Sequence, residues 1–335
     1  MKKIVITGAD GFVGLNLTQT WASRFALTGF VLPHRKSFYE DFCKALPQAE
    51  TQIPVKILAG TFAETSALKE AVKDADYVIH CVGNMLGRKY EKYYAANARS
   101  VFQLLEAIQE TNPNIQRVIL MSSQAAMGPA SPNSPQTESD PTNPISFYGR
   151  SKLEGELFAE SFFKKLPVTI LRPCSIYGPW DRSFLRMFQY ASRGQFGILY
   201  NRETQFNIIH VRDLVRAIEV ALQDEGSGHR FLIADSQPHI WNDLIQIFSE
   251  IHHRPMKIVH LDSWLADLYL RYFDFQELLT GKSDILSSAK AEELKEKNWL
   301  CSAEKFSKTF SWLPQIPLKQ GFTEQVEWCK TMGWT

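Results

Sequence analysis

Residues 2–17 read KKIVITGADGFVGLNL. Ile4, Val5 and Ile6 are a short β-branched run, the pattern of a strand buried in a parallel sheet. The run passes straight into Gly8, Gly11 and Gly14, and Phe12, Val13, Leu15 and Leu17 then open a helical stretch. Strand, glycine turn and helix in immediate succession are the setting in which such glycines bind a dinucleotide. Gly8 allows the tight turn, Gly11 lets the backbone approach a pyrophosphate, and Gly14 lets helix and strand pack closely. The helix start adds free N–H groups and a partial positive charge. Asp10, Phe12 and Val13 belong to the same expected cofactor-binding turn.

Moving outward, a second strand is expected at Gly29–Leu32. An acid near its end would bind the ribose hydroxyls of NAD. The first acid after Asp10 is Glu40, which comes too late, and His34, Arg35 and Lys36 occupy the place where a 2′-phosphate would lie. Arg grips a phosphate bidentately, so NADP(H) is the expected cofactor, with NAD(H) possible. A third strand at 55–58, a helix at 66–72 and a fourth strand at 75–81 follow. Strands alternating with helices at this spacing predict an α/β chain with a doubly wound parallel sheet of Rossmann type. The loops after strands one, three and four lie at carboxyl ends, where such sheets bind ligands.

The whole chain has 335 residues, 44% of them apolar, which is enough to build a large core and excludes disorder for its bulk. With 37 Lys and Arg against 36 Asp and Glu the formal charge is +1, so no nucleic-acid partner is expected. No apolar run reaches the roughly 18 residues that span a bilayer, and no stable membrane insertion is expected. The apolar stretch after Lys2 and Lys3 is too short for a secretion signal. Cys43, Cys81, Cys174, Cys301 and Cys329 show no metal-ligand spacing. They predict free thiols, a cytoplasmic location and no metal site.

In the middle of the chain, Tyr94, Ala98, Val101, Leu105 and Ile108 mark one face of an amphipathic helix over 90–110, with Asn97 one position off that stripe. A fifth strand, Arg117–Met121, ends in Ser122 and Ser123. A Pro- and Ser-rich loop at 128–144 follows, the kind of long loop that carries function. Next comes FYGRSKLEGE at 147–156, with Tyr148 and Lys152 four apart and so on one helix face. A phenol of pKa ~10 is a poor base at neutral pH. An ammonium beside it would favour the phenolate, which could then exchange a proton with an alcohol or carbonyl during hydride transfer. A serine hydroxyl opposite would orient the substrate oxygen.

Taken together, TGADGFVG at 7–14, HCVG at 80–83, Asn97 in YYAANARSVFQLLEA, MSSQAAMG at 121–128, YGRSK at 148–152, LRPCSIYGP at 171–179 and IIHVRDL at 208–214 resemble an extended short-chain dehydrogenase/reductase of the NAD-dependent epimerase/dehydratase type. The resemblance covers residues 1–235. It implies Tyr148 as acid/base, Lys152 holding the nicotinamide ribose, Ser123 as the orienting hydroxyl, and Asn97 as the structural or proton-relay member of a tetrad. It also implies cofactor contacts at Cys81, Val82 and Gly83 and along Pro173, Ser175 and Ile176. Three features depart from the family pattern. Where an Asp often lies near the adenine, this chain has Thr61 and Phe62, leaving backbone N–H groups for that contact. Gln124 and Ala125 replace the acid pair of sugar 4,6-dehydratases. Phe206 stands where nucleotide-sugar enzymes commonly place a diphosphate-binding Arg, with Arg182, Arg186 and Arg202 as candidates to replace it.

The resemblance further implies a dinucleotide domain of residues 1–175 with 205–235 and a smaller, mainly C-terminal substrate-binding lid of 176–204 with 236–335. Within the lid, 262–279 is dense in bulky apolar residues, consistent with core, a pocket wall, a subunit contact or a lipid-touching surface. The expected activity is NAD(P)-dependent interconversion of a secondary alcohol and a ketone on a fairly apolar small molecule. A nucleotide-sugar epimerase or reductase is the alternative, and a homodimer is the family's usual assembly. A non-enzymatic dinucleotide binder would have no need of Ser123, Tyr148 and Lys152.

Overall fold

The computed structural model describes residues 1–46, 54–132, 134–281 and 286–335. Its strands are β1 (Lys3–Thr7), β2 (Ala26–Val31), β3 (Lys56–Ala59), β4 (Tyr77–His80), β5 (Arg117–Met121), β6 (Val168–Pro173), β7 (Ser175–Tyr177), β8 (Gln195–Leu199), β9 (Gln205–Phe206), β10 (Ile208–His210), β11 (Arg230–Ile233), β12 (His239–Ile240), β13 (Lys257–Leu261) and β14 (Asn298–Trp299). Seven of them form one parallel sheet in the order β11-β6-β5-β4-β1-β2-β3. The order reverses between β1 and β4, and the crevice at that switch point is where a Rossmann sheet takes its ligand.

The helices are α1 (Phe12–Trp21), α2 (Lys36–Ala45), α3 (Thr65–Val72), α4 (Tyr90–Tyr94), α5 (Ser100–Thr111), α6 (Phe147–Glu160), α7 (Leu185–Ser192), α8 (Val211–Val220), α9 (Trp241–Ile251), α10 (Ser263–Thr280), α11 (Ala291–Lys295), α12 (Glu304–Phe310) and α13 (Leu318–Thr331). Successive strand residues face opposite sides of the sheet. Ile4 and Ile6 therefore join a core with α1 and α8, and Val5 joins a second core with α3 and α5. Phe306, Phe310 and Trp312 from the C-terminal third also pack into the α1/α8 core, against Phe231. A third core is rich in rings, with Phe188, Phe196, Phe206, Phe248 and Phe322 from β8, β9, α7, α9 and α13.

Two local expectations change. The second strand, expected at Gly29–Leu32, starts at Ala26 and stops at Val31, and Pro33–Arg35 form a single 3₁₀ turn that runs into α2 at Lys36. The amphipathic helix at 90–110 contains a π-helical turn, Ala95–Arg99, between α4 and α5. A π turn inserts an extra residue and rotates everything before it. Tyr93, not Tyr94, is therefore the fully buried ring, and Asn97 points inward.

Candidate functional site

The glycine turn has the expected form. Gly8 has φ +72, a conformation that L side chains rarely adopt. A Cβ on Gly14 would lie 2.4 Å from the Gly8 carbonyl oxygen and 2.6 Å from Ala9 Cα, so α1 sits directly on the turn. Gly11 caps α1 without a side-chain bond, which leaves the helix N-terminus open to a phosphate. Phe12 and Val13 form the first turn of α1 behind it. Asp10 accepts a 2.8 Å bond from Arg35 Nε, and the same guanidinium lies 4.3 Å from the centroid of Phe38. His34 is exposed, and Lys36 reaches Glu40 at 3.6 Å. The end of β2 thus presents cations beside the cradle, and these residues fit a dinucleotide. Thr61 donates its N–H to Glu64, and Phe62 turns inward with its ring edge-on to Phe30 and His80.

The sheet brings the ends of β4, β5 and β6 side by side, and with them the remaining candidates. Cys81, Val82 and Gly83 follow β4, Ser123 follows β5, and Pro173, Ser175 and Ile176 run from β6 into β7. Ser146 caps α6 by accepting from Gly149 N at 3.0 Å, which sets the first turn of the helix bearing Tyr148. Ser123 is itself an N-cap, its Oγ accepting from Ala125 N at 3.1 Å, and its hydroxyl lowers the Tyr148 phenol's pKa in part. Lys152 is buried one turn along α6, with Nζ donating to Met121 O at 2.9 Å and Val82 O at 3.3 Å. Its ammonium lies 6.0 Å from the Tyr148 ring centroid.

The electrostatics correct the sequence expectation for this pair. Desolvation pushes the Tyr148 hydroxyl up to about 12, and the Ser123 bond opposes this only in part. The same burial holds Lys152 down at about 8. Lys152 donates to two carbonyls, and burial sets the direction of the phenol's shift.

Asn97 acts as a staple. Its Oδ1 accepts from Asn84 N at 2.7 Å, and its Nδ2 donates to Asn84 O at 2.9 Å and Ser151 Oγ at 2.8 Å. Ser151 in turn donates to Tyr148 O at 2.8 Å, so the π turn, the post-β4 loop and α6 are tied at one point.

Sequence reasoning missed several groups. His80 is buried, paired with Thr7 at 2.7 Å and Ser100 at 3.2 Å, and burial pushes it down to about 3, so it is a neutral link between β1, β4 and α5. Beneath the site, Arg172 Nε donates to Glu156 Oε1 at 2.9 Å, and Ser122 donates to the same oxygen. This clamp joins β5, β6 and α6. Both charges are fully buried and compensate each other, with Arg230 Nε a further 3.7 Å from Glu156 Oε2. The mouth at Tyr148 is closed by Ser287, Ala289, Lys290 and Glu293 from the C-terminal third, together with Met85, Tyr93 and Ser146. Glu293 takes bonds from both Ser146 and Lys290. Phe206 lies in the aromatic core, 4.8 Å from Trp241. Arg186 lies over Phe273, Arg182 lies over Trp334, and Arg202 is exposed. Among the described residues no group of three His, Cys, Asp or Glu could hold a metal ion.

A model of the NAD dependent epimerase/dehydratase family matches residues 4–234. The chain belongs to that family. It is an enzyme of the extended short-chain dehydrogenase/reductase type. A ceramide reductase of Caulobacter vibrioides is 23% identical over 99% of this chain and 95% of its own length. An N-acetyl-α-D-glucosaminyl-diphospho-ditrans,octacis-undecaprenol 4-epimerase of Escherichia coli O157:H7 is 23% identical over 91% of this chain and 87% of its own. In fold, this epimerase/dehydratase family member matches a UDP-glucuronic acid 4-epimerase of Bacillus cereus solved with UDP-glucuronic acid and NAD. That match has a TM-score of 0.79 and 20% identity, and covers 98% of this chain and 99% of the other.

Proposed function

We propose that the protein interconverts a secondary alcohol and a ketone on a fairly apolar or amphiphilic small molecule, with Tyr148 as acid/base. The carrying observation is that Lys152 lies one turn along α6 from Tyr148, its ammonium 6.0 Å from the phenol ring and held on the carbonyls that end β5 and follow β4. When bound, the nicotinamide takes or gives the hydride. In the oxidising direction Tyr148 takes the hydroxyl proton, and in the reducing direction it returns a proton to the carbonyl oxygen. Ser123 holds that oxygen, and Lys152 fixes the cofactor ribose. Asn97 acts through Asn84 and Ser151 as a positioning residue.

The substrate reading is supported by Phe206, whose ring is spent in the lid core where a diphosphate would need a charge-assisted partner. It is also supported by the ceramide substrate named for one relative. NADP(H) is the preferred cofactor, because Arg35 offers a guanidinium beside the cradle, with the exposed His34 and Lys36 next to it. NAD(H) is the cofactor of the second reading, a nucleotide-sugar epimerase in which Tyr148 starts a transient oxidation of the sugar. The fold match to a UDP-glucuronic acid epimerase supports that reading. The proposed division gives residues 1–175 with 205–235 to the cofactor and 176–204 with 236–335 to the substrate. A cytoplasmic homodimer joined through α5 and α6 completes the reading.

The test pairs turnover with cofactor titration by protein fluorescence. Tyr148→Phe is expected to lose about 10²–10⁴-fold in kcat while its NADPH affinity stays within about twofold. A variant that keeps its full rate overturns the role of Tyr148.

A further inference from the structure

Helix α10 has two apolar faces. The inner one buries Ala266, Leu270 and Phe273, and Asp267 accepts from Tyr200 at 2.6 Å on the same side. The outer one exposes Trp264 (68%), Leu268 (60%), Tyr272 (53%), Phe275 (57%) and Leu279 (69%). Steps of four, four, three and four place these five in one stripe down the helix. A solvent-facing helix side is normally polar, and a continuous exposed apolar stripe marks a contact surface.

The charge pattern selects the partner. No carboxylate stands among the five stripe positions, and the charged residue nearest the stripe in the helical repeat is exposed Arg271. Asp274 turns inward, Asp267 is half-exposed off the stripe and held by Tyr200 and Lys295, and Asp262 stands exposed at the helix start beside His260 at 3.2 Å. Strand β13, which leads into α10, exposes Lys257 with Ile258 and Val259. Exposed Arg271 beside a Trp- and Tyr-bearing apolar stripe complements an anionic lipid surface, where amphipathic rings settle at the boundary between headgroups and chains. At 18 residues α10 is about 27 Å long and can lie flat in that boundary. No described helix is long and apolar enough to cross a membrane.

The stripe is also joined to the chemistry. Asp274 Oδ1 accepts from Ser288 N at 3.2 Å, and the neighbouring Ser287, Ala289, Lys290 and Glu293 share the cavity with Tyr148. We propose that the outer face of α10 docks on an anionic lipid bilayer and brings the Tyr148 mouth to a substrate held in that bilayer. The delivery half of this proposal rests on the amphiphilic-substrate reading above; the docking half does not.

The experiment is flotation of the full-length protein with phosphatidylethanolamine vesicles containing phosphatidylglycerol, beside vesicles of phosphatidylcholine alone. The wild type is expected to float with the anionic vesicles. Leu268→Glu/Phe275→Glu is expected to lose about tenfold or more of that partition, with unchanged Tm and NADPH affinity. Should this variant fail to fold, Leu278→Glu/Leu279→Glu at the end of the helix replaces it. A wild type that stays out of every vesicle fraction overturns docking, and so does equal binding by wild type and variant. So does a dimer that dissociates in the variant, which would assign the face to a second copy. Vesicle binding is read without turnover, so failure of docking and failure of the Tyr148 reading are separate results.

Discussion

The large sheet and the aromatic core of the C-terminal third are both well buried, yet they are built from different materials. The sheet packs aliphatic strands, such as β5 and β6, whose residues are buried along their whole length. The other core packs Phe188, Phe196, Phe206, Phe248 and Phe322 in edge-to-face and tilted contacts from five separate elements. Strands buried on both faces leave continuous apolar runs in the sequence, and glycine turns punctuate them. Rings meeting from distant segments leave no period. The same contrast holds at the site, where the sheet half supplies the cradle and Ser123, Tyr148 and Lys152, while the other supplies Lys290 and Glu293.

The largest effect should come from the clamp under the sheet. Glu156→Ala strands Arg172 in the core and is expected to lower the unfolding free energy by about 3–5 kcal/mol, measured by urea titration. Phe248→Ala in the aromatic core should cost a similar 3–5 kcal/mol, but NADPH binding at low denaturant should survive it. Loss of cofactor binding in both would break the distinction between the two regions.

At the mouth, Lys290→Ala is expected to raise KM about tenfold with cofactor affinity unchanged, because Lys290 lines the cavity and not the cradle. On the opposite side, Arg35→Ala should cut the preference for NADPH over NADH by about tenfold in paired titrations. An unchanged ratio would remove Arg35 from the cofactor site.

The smallest effect is a pH limb. Burial disfavours the Lys152 cation, so the ammonium is present below about 8 and is lost above it. The kcat/KM for carbonyl reduction should therefore fall on the alkaline side with an apparent pKa near 8. In stability the sign is opposite. The burial penalty on Lys152 is complete below about 8 and disappears as pH rises toward the ordinary lysine value, so this residue favours unfolding most at neutral pH. A flat profile from pH 7 to 10 would show that the Lys152 charge is not needed.

The sequence by itself determined the doubly wound parallel sheet, the glycine turn, and the placing of Tyr148 and Lys152 on one helix face. Each rests on short-range rules: glycine where φ must be positive, alternation in strands, and a four-residue step on a helix. Only the tertiary structure decided the rest. The π turn that swings Asn97 inward has no local signature. The Glu156–Arg172 clamp reads locally as two ordinary charged residues. The depressed Lys152 and raised Tyr148 follow from burial, which spacing cannot report. Lys290 and Glu293 reach Tyr148 across more than a hundred residues of chain, and both faces of α10 are apolar in sequence while only one finds a core. Desolvation and long-range packing depend on which surfaces meet, and that information exists only once the chain has folded.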